Sequence, residues 1–263
     1  MNERYSRQIL LKEIGEEGQS KLASSCVTVV GAGGLGSSAL FCLASAGIGS
    51  IKIIDSDTVE LSNLNRQLIH TEADIGKNKA LSASQKLRRY NSEITVTPVD
   101  SHLNEENASS LIAGSDIVLA CVDNNETRLA LNKVCAELGV PLIDGGVGGF
   151  EGYVQITNYK LQITNESEKE LGARCEELGV KEKCHCEERS DAAIQRKFPS
   201  KIEGCPQGGE CDKLVDAQLG AAVSVIGSIM SLQAIKTLLE IETDCSLHYI
   251  DLLSMRILPI KQG

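Results

Sequence analysis

From residue 26 to residue 150 the chain alternates between two hydrophobic patterns. Short runs dense in Val, Ile and Leu ("CVTVVGA", "SIKIIDSD", "ITVTPVD", "DIVLACVD", "VPLIDGG") have the length and continuity of buried strands. Most are separated by stretches with helical periodicity, of which "KNKALSASQKLRRYN" and "NETRLALNKVCAELG" are the clearest. The second starts at an Asn cap and stops at Gly139, ahead of Pro141. Strand and helix in regular alternation imply parallel strands joined by right-handed crossovers. The expected fold is therefore α/β, a doubly wound (Rossmann-like), mainly parallel sheet. "EGYVQIT" adds a strand, and a helix over about residues 215–239 leads into two more, "LHYIDLL" and "MRILPI", read as a C-terminal antiparallel extension.

The regularity fails between residues 157 and 212. "QITN" occurs twice there within a few residues, and the remainder is dense in charge and poor in large apolar side chains, so it can bury little surface. Within it, "CHCEERSDAAI" is similar to peptides encoded by dispersed bacterial repeat elements. The expectation is one α/β domain over residues 1–263 that carries residues 157–212 as a mobile insertion. Residues 217–235 hold no formal charge and are long enough to span a bilayer. Gln218, Ser224, Ser228, Ser231 and Gln233 interrupt them, so a buried core helix is expected and no membrane partner.

Charge and cysteine narrow the class further. A formal net charge of −10 argues against a chain held mainly by nucleic-acid phosphates or an anionic membrane, so anionic substrates need local cations. The N-terminal segment is charged throughout and shows no export or transit signal, which places the expected location in the cytoplasm. Of ten cysteines, Cys26, Cys42, Cys121 and Cys135 lie in apolar patterns and read as small hydrophobes. The other six follow residue 170, and a disulfide framework is not expected in this setting.

The chemistry begins at "VVGAGGLGSSAL", where Gly31, Gly33 and Gly36 form G-x-G-x-x-G between a strand and a helix. Glycines let the backbone turn tightly and approach phosphates, and the helix N-terminus offers N–H groups to an anion. Asp55 closes the second strand, where a carboxylate can accept from ribose hydroxyls. Alone, this fingerprint suits a dinucleotide and hydride transfer. Close behind come Arg66 and Lys79, with Ser62, Asn63 and Asn65 as polar positioning groups. Nucleotidyl transfer needs such cations, because charge builds on the α-phosphate and on departing pyrophosphate. Asp123 and Asn124 follow the fourth strand beside the expected crevice, where Asp123 can hold Mg²⁺ on triphosphate oxygens. Either residue is equally suited to capping the next helix.

Together "RYSRQILL", "VVGAGGLGSSA", "IIDSDTVELSNLNRQLIHTEADIGKNKA", "CVDNNETR", "GFEGYVQI" and "VSVIGSIMSLQAIKTLL" resemble the ThiF/MoeB/HesA family, the prokaryotic relatives of ubiquitin-activating enzymes. That resemblance covers most of residues 4–156 and 215–258. It implies an ATP site made by Gly34, Asp55, Ser62, Asn63, Arg66, Lys79, Asp123 and Asn124, with Asp123 as the Mg²⁺ ligand. It further implies a homodimer in which Arg7 reaches the partner subunit's ATP. The implied reaction adenylylates the C-terminal glycine carboxylate of a small ubiquitin-like sulfur carrier with a Gly-Gly end, for sulfur transfer of the thiamine or molybdopterin type. A sulfur donor protein then converts the activated carboxylate to a thiocarboxylate. The chain lacks the paired C-x-x-C motifs of zinc-binding members; Cys184, His185, Cys186, Cys205 and Cys211 offer a different, non-standard donor set. Cys205 or Cys211 also stand where some relatives carry a reactive cysteine. Two other readings stay open at this level: a non-catalytic binding protein disabled by its insertion, and an NAD-dependent oxidoreductase.

Overall fold

The apolar runs become five parallel strands in the computed structural model, which describes residues 3–157, 218–241 and 247–260. These are β1 (Cys26–Val30), β2 (Ser50–Ile54), β3 (Thr95–Val99), β4 (Ile117–Ala120) and β5 (Leu142–Gly148). Their spatial order is β3-β2-β1-β4-β5, with Val29 of β1 in register with Ile53 on one side and Leu119 on the other. Strand order therefore reverses between β1 and β4, and ligands bind in such sheets at the carboxyl ends of the strands flanking that reversal. Beyond β5 the direction alternates through β6 (Glu151–Thr157), β7 (Leu247–Asp251) and β8 (Arg256–Ile260), giving one eight-stranded sheet. The antiparallel extension is as expected. The insertion beyond Thr157, with Cys184, Cys186, Cys205 and Cys211, lies outside the described residues.

Helices cover both faces because the strands are apolar on both. Val27, Val29, Ile51, Ile53, Ile117 and Leu119 face one core, closed by α2 (Gly15–Ser24), α3 (Gly34–Ala46), α4 (Lys79–Tyr90) and α7 (Gly220–Leu238). Val30, Ile54, Val118, Ala120 and Leu142 face the other, under α5 (Ala108–Ile112) and α6 (Asn125–Leu138). A short α1 (Ser6–Ile9) precedes these. Among the described residues α7 is the one helix long and apolar enough to cross a membrane, but Ala222, Ile226, Met230, Ala234 and Leu238, four apart, are buried within the protein. They pack the helix on α3, β5 and β6. It starts later than residue 215, because Leu219 is extended and Gln218 forms a β-bridge with Gly149. Cys121 and Cys135 are buried as expected, and burial pushes both thiols up to about 12. Cys26 and Cys42 are only half-buried.

Candidate active site

The chain leaves β1 through a turn that only glycine can make. Gly31 has φ +95°, and a Cβ there would stand 2.3 Å from the Cys121 carbonyl oxygen. A Cβ on Gly36 would stand 2.0 Å from the Gly31 carbonyl, and one on Gly34 would stand 2.5 Å from Cγ1 of Val223 on α7. Gly33 differs: its Cβ would make one ordinary contact, 3.6 Å from Nε2 of Gln67. Three glycines thus serve the turn and the helix packing, and the fourth leaves the backbone open to a ligand. Gly33 is also the N-cap of α3 and provides no side-chain cap, so the positive end of a thirteen-residue helix faces that opening.

Asp55 supports this loop from β2. Its Oδ2 accepts from the Ala32 N–H at 2.7 Å and its Oδ1 from the Asp57 N–H at 2.8 Å. Burial raises its pKa and these two backbone bonds oppose the shift. Asp57 in turn pairs with Lys79, Nζ to Oδ2 at 2.9 Å. Lys79 is the first residue of α4 and its side chain is only 9% exposed, whereas that of Asp57 is 69% exposed. A cation in the first turn of a helix opposes the helix dipole. Asn78 caps α4 through the Leu81 N–H and donates to the Asp55 carbonyl at 2.9 Å, so the Asp55–Asp57 turn and the Lys79 end of α4 are one unit.

The segment carrying Arg66 is held from within and from below. In the 3-10 turn Leu61–Asn63, Asn63 Oδ1 accepts from the Glu60 N–H at 3.1 Å, and the Ser62 hydroxyl donates to the Glu60 carboxylate at 3.2 Å. Arg66 donates from Nη1 to the Ser62 carbonyl at 3.0 Å and to Asn65 Oδ1 at 2.9 Å. In this state Ser62, Asn63 and Asn65 shape the turn and aim the guanidinium. Below, a Cβ on Gly220 would stand 2.5 Å from the Asn65 carbonyl oxygen, so the start of α7 is pressed against this turn.

Opposite, Asp123 is exposed three residues beyond β4, and Asn124 caps α6 by accepting from the Thr127 N–H at 2.8 Å. Arg128 was not expected here, and it anchors this loop. Its Nη2 donates to the Val122 carbonyl at 2.9 Å, while Nη1 bonds the buried carboxylate of Asp144 and the hydroxyl of Tyr153. Burial raises the Asp144 pKa against the opposing charge of Arg128. Asp57, Gln67, His70 and Arg128 are the site residues that sequence reasoning passed over. The "DSD" and "RQLIH" strings were their only local signal. Arg7 stands apart: Tyr5, two residues before it, packs on Gly47, the cap at the far end of α3 from Gly34. Thirteen helical residues separate the two ends by about 20 Å. Among the described residues no cluster of three or more His, Cys, Asp or Glu could hold a metal ion.

Comparison with known proteins follows the same outline. The chain is 46% identical over 150 residues to the SAMP-activating enzyme E1 of Haloferax volcanii, covering 57% of this chain and 56% of that one. It is 38% identical over 239 residues to the adenylyltransferase and sulfurtransferase MOCS3 of Anopheles gambiae, covering 91% and 47%. The chain thus spans about half the length of these two relatives. It is 37% identical over 235 residues to the molybdopterin-synthase adenylyltransferase of Salmonella typhimurium, covering 89% of this chain and 81% of that one. The crystal structure of E. coli MccB with AMPCPP and MccA shares the fold, with a TM-score of 0.72 at 22% identity over 100% of this chain and 72% of that one. The model of the ThiF family matches residues 5–262, so the chain belongs to the ThiF family.

Proposed function

We propose that the chain is an ATP-dependent adenylyltransferase acting on the C-terminal glycine carboxylate of a small ubiquitin-like sulfur carrier. The carboxylate oxygen bonds to the α-phosphorus, the bond from that phosphorus to the β-bridging oxygen breaks, and pyrophosphate leaves. The observation that carries this reading is the placement of two cations, Arg66 and the buried Lys79, on segments packed around an open glycine loop. Hydride transfer has no use for them. In our reading the α3 N-terminus and the Gly33 backbone hold phosphate oxygens, Asp55 positions the ribose, and Arg66 and Lys79 neutralise charge as pyrophosphate departs. Exposed Asp123 supplies the oxygen donor that suits Mg²⁺, an ion that would bridge phosphate oxygens there. The names of the Haloferax, Anopheles and Salmonella relatives support the same activity. Conversion to a thiocarboxylate by a sulfur donor protein belongs to this proposal.

Arg7 is proposed to act in the partner subunit of a homodimer, because within its own chain it stands about a helix length from the glycine loop.

Pyrophosphate exchange with small Gly-Gly carriers from the same genome tests the reaction. Arg66→Ala should abolish exchange and leave ATP binding weakened but measurable, since this cation matters most as charge develops. Wild-type exchange in that variant would overturn the role given to Arg66, and no exchange by the wild-type protein with any carrier would overturn the reaction.

A further inference from the structure

His70 is 5% exposed and uses both ring nitrogens. Nε2 lies 3.0 Å from the Ala32 carbonyl oxygen, and Nδ1 lies 2.9 Å from the hydroxyl of Ser82, itself fully buried on α4. A carbonyl can only accept, so Nε2 carries the proton, and in the neutral ring Nδ1 accepts from Ser82. Ala32 is the residue between the first two glycines of the loop, and its own N–H is already held by Asp55.

The Ala32 carbonyl and the Gly33 N–H belong to one planar trans peptide and so point in opposite directions. A carbonyl drawn toward His70 turns the Gly33 N–H away from it. Among the described residues that N–H has no acceptor, and it sits at the one glycine of the loop with open space beside it. A loosely held peptide at this point can rotate and present its carbonyl to the crevice, where an anion would be repelled. Gln67 lies over the same residue, 5% exposed, and its Oε1 has no partner among the described residues.

We infer that His70 is a positioning residue for phosphate recognition: by holding the Ala32 carbonyl it keeps the Gly33 N–H turned to the nucleotide phosphates. This rests on the ATP-binding part of the reading above. Asp55 clamps one peptide of Ala32 and His70 clamps the other, so neither can rotate alone.

The test compares ATP with adenosine, which lacks the phosphates, by calorimetry on the full chain. His70→Phe keeps the ring volume and removes the donor. ATP affinity should fall about tenfold, the value of an oriented hydrogen bond to a charged group, while adenosine affinity holds within about twofold. His70→Gln puts an N–H near the Nε2 position and should recover ATP affinity to within about threefold of wild type. His70→Asn reaches only as far as Ser82 and should behave as His70→Phe. Equal losses for ATP and adenosine, or an unchanged ATP affinity in His70→Phe, would overturn the inference. If His70→Phe does not fold, His70→Gln against His70→Asn decides, and equal ATP affinity in those two overturns it. Wild-type protein that binds ATP no better than adenosine overturns both this inference and the catalytic reading. ATP binding without pyrophosphate exchange overturns the catalytic reading alone, and the variants still decide the role of His70.

Discussion

Asp74 is almost completely buried, and burial alone would push its carboxyl up. Hydrogen bonds from Lys86, from the backbone and hydroxyl of Thr71, and from Lys77 outweigh that and hold it far below the usual carboxylate range. A carboxylate with a depressed folded-state pKa stabilises the protein above its unfolded value, near pH 4, and loses that contribution as pH falls toward the folded value. Asp74→Asn should therefore cost about 2 kcal/mol at pH 7, and the gap to wild type should close as pH is lowered below about 4. Urea unfolding at a series of pH values checks this; a gap that persists unchanged at pH 2 would mean that the carboxylate charge is not what stabilises. Lys79 shows the opposite balance. Its position at the start of α4 works against the helix dipole, and it pairs with a largely exposed partner, so its placement serves the crevice more than the fold.

At the scale of elements, the decisive contact is the crossing of α3 and α7. A Cβ on Gly227 would lie 2.2 Å from the Ser38 hydroxyl oxygen and 2.3 Å from the Leu35 carbonyl, so the two backbones approach as closely as glycine allows. Gly227→Ala gains helix propensity of about 1 kcal/mol and still should destabilise the protein, by a net of about 1–3 kcal/mol from overpacking. A higher midpoint in urea would show that the helices can part. Strands and glycine turns were legible in the sequence because each reports on itself: five apolar runs became β1 to β5, and the G-x-G-x-x-G string fell between β1 and α3. Asn124 took the capping role that was open to it from the start. Arg128, Asp144 and Tyr153 were not legible as a unit. They come from α6, β5 and β6, and "VPLIDGG" gives no sign that its Asp is buried until an arginine is seen beside it. His70 was equally silent, since its partner is a backbone carbonyl 38 residues away.

The whole molecule places Arg7 and the glycine loop at opposite ends of α3, and two-fold pairing is the arrangement by which the proposed site gains that arginine. Arg7→Ala and Asp123→Ala should each be inactive alone. Mixed with subunit exchange, they should recover about a quarter of wild-type exchange activity, because half the dimers are mixed and one site in each is intact. Absence of recovery with exchange verified would place Arg7 outside the reaction. The sheet has one further property. Thr157 ends β6 beside Leu142, while Gln218 re-enters beside Gly149, near the strand's other end, so the chain between them must cover about 23 Å. Residues 158–217 could reach about 200 Å. Heredity therefore has a free hand at this joint: a stretch copied or acquired there, such as the one containing the repeated "QITN", lengthens the protein without moving a strand, and selection has nothing in the fold with which to refuse it.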